Sequence, residues 1–136
     1  MEKTSPSSGV NLVNFVADGV SLKGGSITSD MNLKDVTTYI TDLTIDKIAK
    51  APLFNFKWKD NPNGLTHVGT SAQYWQETLP NVVMRINGNL SLDYNGVLIA
   101  SVISTARKVV DHELRIKQLE EENRELREEI KLLKAA

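Results

Sequence analysis

The chain has 136 residues, a net charge of -1, two histidines and no cysteine. That length suits one domain plus an appendage, and the near-neutral balance offers no electrostatic case for nucleic acid or acidic membranes. The missing cysteines exclude disulfides, thiol catalysis and thiolate metal sites, two histidines argue against a closed zinc site, and no metal or cofactor is expected.

In chain order, Met1 to Gly9 is polar and Ser/Pro-rich, read as a flexible lead or an expression scar without the apolar stretch of a secretory signal. Residues 10–28 show the apolar alternations Val10/Leu12 and Val20/Leu22, broken by Asp18-Gly19 and Gly24-Gly25. These are strand-and-turn signals, expected to be the tail end of a longer β-structure. From about Leu33 to Lys50, the residues Leu33, Val36, Tyr39, Ile40, Leu43 and Ile48 fall near helical spacing and predict a helix stopped by Pro52. The β-branched run Val36, Thr37, Thr38 and Ile40 weakens it, with a break expected near Asp42.

Phe54-Asn55-Phe56-Lys57-Trp58 alternates aromatic and polar residues, as a half-buried strand does. Asp60 to Gly64 is a turn, Val68 opens another strand, and Ala72 to Leu79 suits a short helix that Pro80 ends. Asn87-Gly88, between Val82–Ile86 and Leu90–Leu92, is the strongest hairpin signal in the chain. Beyond Gly96 nothing breaks a helix.

That last helix reads as a coiled coil. Ile116, Asn123 and Ile130 fall at heptad position a, and Leu119, Leu126 and Leu133 at d; Val109 and Val102 continue a, with His112, Thr105 and Leu98 at d. The g–e′ pairs Arg115/Glu120, Glu122/Arg127 and Glu129/Lys134 are all of opposite charge, as a parallel, in-register homo-oligomer requires. Asn123 suits a register device, and the heptads leave the strand number open. Only Arg107-Lys108 precedes the repeat, too little for a DNA-binding basic region. No apolar run has the length of a membrane span.

One junction carries candidate chemistry. In Thr28-Ser29-Asp30-Met31-Asn32-Leu33-Lys34 a β-type segment gives way to a helical one. Ser29 or Asp30 is a good helix N-cap there, which is the structural reading. The chemical reading pairs a hydroxyl with an amine. Serine is a poor nucleophile until a base takes its proton, and a lysine serves as base only when neutral. For a lysine that means a fall from an ordinary value of ~10.4 towards 7, worth about 4 kcal/mol, which desolvation on burial can supply. Residues five apart on an α-helix diverge by about 140°, so Ser29 must sit in an extended turn with Lys34 reaching back.

Four ordered blocks then resemble the C-terminal intramolecular chaperone, or self-cleaving auto-processing domain, of phage tailspikes, tail fibres and endosialidases, a domain related to one in myelin regulatory factor. Ser29-Asp30-Met31-Asn32-Leu33-Lys34 resembles the family's Ser-Asp-x-x-x-Lys entry, and Leu53 to Asp60 its aromatic strand. His67-Val68-Gly69-Thr70-Ser71-Ala72-Gln73 with Leu79-Pro80 is similar to its Ala-Gln…Leu-Pro block, although Tyr74 stands where the family usually has Glu. Leu92-Asp93-Tyr94 with Leu98-Ile99 resembles the entry to its final helix.

The resemblance implies a homotrimer that helps an upstream β-rich fibre or tailspike segment of the same polypeptide to fold. It then releases itself by autoproteolysis at Thr28–Ser29, with Ser29 as nucleophile, Lys34 as general base, and Asp30 and His67 as possible auxiliaries. The family setting implies the host cytoplasm during virion assembly. The expected fold class is α+β, a small mixed domain with a long C-terminal helix in a parallel coiled coil. Residues 1–28 are assigned to the upstream segment, 29–95 to the core and 96–136 to the helix. The alternative is a non-cleaving trimerisation module in which Ser29 only caps a helix. A Ser/Lys hydrolase acting on external substrates lacks a nucleophile-elbow glycine pattern.

Overall fold

Local signals and burial together set the elements in a computed structural model that describes residues 29–136. The strands and turns expected over residues 10–28, and Thr28 itself, lie outside the described residues. The chain divides into two units, meeting in sequence at Tyr39 and Ile40.

Residues 29–39 of the first unit contain a single turn of 3-10 helix, Met31–Leu33, capped by Asp30 and closed at Lys34 in extended conformation. The helix expected from Leu33 to Lys50 is corrected here: residues 34–44 form none, and only Ile45–Ala49 is α-helical. The β-branched residues 36–38 and 40 lose side-chain freedom in a helix. No compensating burial is present, since Val36, Tyr39 and Ile40 are all exposed.

In the second unit, helix α1 (Ile45–Ala49) starts at Thr44, whose Oγ1 accepts the Lys47 amide. Strands β1 (Phe54–Phe56) and β2 (His67–Gly69) pair antiparallel, Phe56 opposite His67. Helix α2 (Ala72–Thr78) is capped by Ser71 and gives way at Pro80 to a 3-10 turn, Pro80–Val82. Strands β3 (Val83–Ile86) and β4 (Asn89–Leu92) form the second hairpin. Its two turn residues have φ of 50° at Asn87 and 80° at Gly88, the mirror-image turn that matches the strand twist. Helix α3 (Tyr94–Ala135) begins where the Asp93 carboxylate accepts the Gly96 amide. Gly96 permits that start: a Cβ there would lie 2.7 Å from the Asp93 carboxylate and 3.0 Å from Val82.

The architecture is therefore mixed α+β with a long C-terminal helix. Its core is small: Leu43, Trp75, Leu79, Val82 and Val97 are buried, with Ile48, Tyr74, Val83 and Leu92 packed around them. Trp75 sits at its centre, 2% exposed, and its indole N–H donates to Thr70 Oγ1 at 3.2 Å. The Tyr74 hydroxyl donates to the Lys47 carbonyl and ties α2 to α1. Tyr74, which departs from the usual Glu at this point of the resembled family, thus has a structural job here.

Candidate active site and assembly surface

The junction that holds Ser29 and Lys34 is built by a short turn. Ser29 precedes it and Lys34 ends it. The Asp30 carboxylate accepts the Asn32 amide at 2.9 Å, and the Asp30 carbonyl accepts the Leu33 amide at 3.1 Å. Folding back in this way, the chain brings Lys34 Nζ to 2.6 Å from Ser29 Oγ, with the ammonium donating to the hydroxyl oxygen. The helix cap is Asp30; the Ser29 hydroxyl is engaged by the lysine instead. Both members of the pair are exposed in the single chain.

Chemically, a hydroxyl and an amine at this separation have the heavy-atom geometry of a nucleophile and its base. The same contact serves both protonation states: an ammonium donates to the hydroxyl, and a neutral amine accepts from it. Only the second arrangement activates the serine.

His67, the other auxiliary candidate, lies on β2 in the second unit. Its ring packs against Phe56, centroids 5.3 Å apart, and lies near Trp58 at 6.5 Å. Phe54 and Phe56 meet edge to face, as do Phe56 and Trp58. This aromatic cluster was not anticipated as a unit. Its signal was the two-residue spacing of Phe54, Phe56 and Trp58, which a strand projects onto one side. Phe54 and Trp58 remain exposed, so the cluster is an uncovered apolar surface. Gly69 allows its close packing, because a Cβ there would lie 2.8 Å from the Phe56 ring.

Helix α3 presents two different stripes. Val97 is buried, and Ala100, Ser101, Ser104 and Thr105, the last of them at heptad position d, are half-buried within the unit. The heptad stripe lies elsewhere: Leu98, Val102 and Val109 are exposed, and Ile116, Leu119, Leu126, Ile130 and Leu133 continue the same uncovered line. Among the charges of the helix, Arg124 pairs with Glu121, both outside the a, d, e and g positions, while Arg115, at position g, donates within the chain to Gln118 at 2.9 Å. Among the described residues no ion pair within the chain engages Glu120, Glu122, Arg127, Glu129 or Lys134.

Among the described residues no group of three or more His, Asp or Glu side chains is gathered to hold a metal ion. No helix among them is long and apolar enough to cross a membrane.

Comparison with known families adds one finding. Residues 29–84 match the family model of peptidase S74, described as the chaperone of endosialidase. The match begins at Ser29 and runs through the aromatic strand and the capped α2 helix into β3. No curated protein and no solved structure matches the chain.

Proposed function

We propose that this chain, whose residues 29–84 match the chaperone-of-endosialidase family, is an intramolecular chaperone that assembles as a homotrimer, assists an upstream β-rich segment to fold, and then frees itself by cutting Thr28–Ser29. The observation that carries the cleavage reading is the 2.6 Å contact between Lys34 Nζ and Ser29 Oγ. The uncovered heptad stripe of α3 supports assembly.

The reaction would run in two steps. Neutral Lys34 takes the proton from Ser29 Oγ as that oxygen attacks the Thr28 carbonyl carbon. The tetrahedral intermediate collapses, the C–N bond to Ser29 breaks, and the proton passes from Lys34 to the departing α-amine. An ester now joins Thr28 to the Ser29 side chain. Water, deprotonated by Lys34, attacks that ester; the C–O bond breaks and Ser29 recovers its proton. The products are an upstream chain ending in Thr28 and a chaperone beginning with Ser29.

An ammonium cannot act as base, and in this reading exclusion of water by neighbouring copies is what favours the neutral amine. Cleavage is thereby tied to assembly, and the chaperone stays attached until three chains are together. This order suits a β-fibre, whose non-local contacts form slowly and leave strand edges exposed meanwhile. A helical clamp holds the chain ends at high effective concentration, and its removal leaves a product protected by its unfolding barrier. Assembly in the host cytoplasm during virion formation is part of the same proposal.

The test is the intact mass of purified protein over time, with sequencing of the new N-terminus. A fragment beginning at Ser29, absent from Ser29→Ala, supports the reading. A wild-type oligomer that stays full length on prolonged incubation overturns the cleavage half and leaves the non-cleaving trimerisation module.

A further inference from the structure

We infer that Asp30 is a positioning residue for the Ser29–Lys34 pair, acting through the shape of the turn and not through its charge; this rests on the cleavage reading above. Five extended residues would separate the two Cα atoms by roughly 17 Å, far beyond the reach of one lysine side chain. The 3-10 turn removes that distance, so whatever holds the turn holds the dyad.

Packing does not hold it. The turn has no buried residue, and Met31 and Leu33 are 60% and 75% exposed. What remains is hydrogen bonding: Leu33 N–H to the Asp30 carbonyl, Lys34 N–H to the Met31 carbonyl at 3.2 Å, and Asn32 N–H to the Asp30 carboxylate. Apart from the Lys34–Ser29 contact itself, the last is the one contributed by a side chain, and it satisfies an amide that the short helix leaves without a partner. The Asp30 carboxylate makes no ion pair with Lys34. It is committed to the backbone, and the amine is left to face the hydroxyl.

An acceptor oxygen is what this role needs, and a negative charge is not. Asp30→Asn keeps an oxygen at the same place; Asp30→Ala removes it. Cleavage of the full chain should therefore slow about fivefold to tenfold in Asp30→Ala and stay within about twofold of wild type in Asp30→Asn. Asn as slow as Ala overturns the proposal in favour of a charge role, and Ala as fast as wild type shows that the turn does not depend on the cap.

A second measurement separates this inference from the cleavage reading. In the Ser29→Ala background, which cannot cut, exchange of the Asn32 amide is followed by NMR with Asp, Asn or Ala at position 30. Protection with Asp and Asn and its loss with Ala supports the inference even if wild type never cleaves. Equal exchange in all three overturns it even if wild type does.

Discussion

Lys34 Nζ donates to Ser29 Oγ across a single turn of 3-10 helix, 2.6 Å apart and with both side chains exposed. The two halves of the proposed chemistry thus have different origins. Proximity is a property of six consecutive residues. Activation of the amine is assigned, in the proposal, to exclusion of water on assembly.

Arginine at position 34 distinguishes a base from a hydrogen-bond donor. Its guanidinium still donates to Ser29 but stays charged at any accessible pH. Lys34→Arg and Lys34→Ala should both slow cleavage by about 10²–10⁴-fold, the range for loss of a general base. Sedimentation should show the same oligomer as wild type. Intact mass reports the rate, and an arginine variant that cuts normally removes Lys34 from the base role.

Acidic residues in the heptad seam should separate the copies. Leu119 and Leu126 are uncovered in the single chain, and each stabilises an assembly by about 1.5–3 kcal/mol when buried. Leu119→Asp with Leu126→Asp is expected to shift sedimentation equilibrium to monomer and to slow cleavage in step. A monomer that cuts as fast as wild type breaks the tie between assembly and activation.

Asn123 tests the register. A single polar residue at position a specifies alignment at a cost in stability. Asn123→Ile should raise the melting temperature of the oligomer by several degrees while broadening the distribution of assembly sizes seen by native mass spectrometry. An unchanged melting temperature would place Asn123 outside the seam.

The core should be sensitive at Trp75. Its side chain is 2% exposed and bonded to Thr70, so Trp75→Ala is expected to cost about 3–5 kcal/mol in urea unfolding. Trp58→Ala, at 60% exposure, should cost far less in the unassembled chain.

At the β3–β4 turn, Gly88 has φ of 80° and open space where a Cβ would go. Gly88→Ala should therefore cost only the backbone strain, about 1–2 kcal/mol in the same assay. Gly69→Ala has no such freedom, because the Phe56 ring stands 2.8 Å away, and its cost should be larger.

Several elements were legible before any coordinates because their causes are local. Asn87-Gly88 dictates its hairpin, Pro80 ends α2, and a stretch without proline, rich in Glu, Leu, Lys and Arg from Glu113 onward, carries α3 to Ala135. The serine-to-lysine spacing belongs to the same class. Position 30 shows where locality ran out: Ser29 and Asp30 are both good caps by composition, and the backbone chose Asp30.

By itself the sequence determined the hairpin, the long helix, the heptad pattern and the spacing of Ser29 and Lys34 across one turn, since each depends on neighbours a few residues away. Only the tertiary structure decided that residues 34–44 stay out of helix, that Trp75 is core while Trp58 lies outside it, and that the stripe packed within the unit meets the apolar heptad line only at Thr105. The physical reason is burial: whether an apolar periodicity becomes a helix, a core or an open seam depends on a surface to cover it, and that surface comes from distant parts of the chain or from another copy.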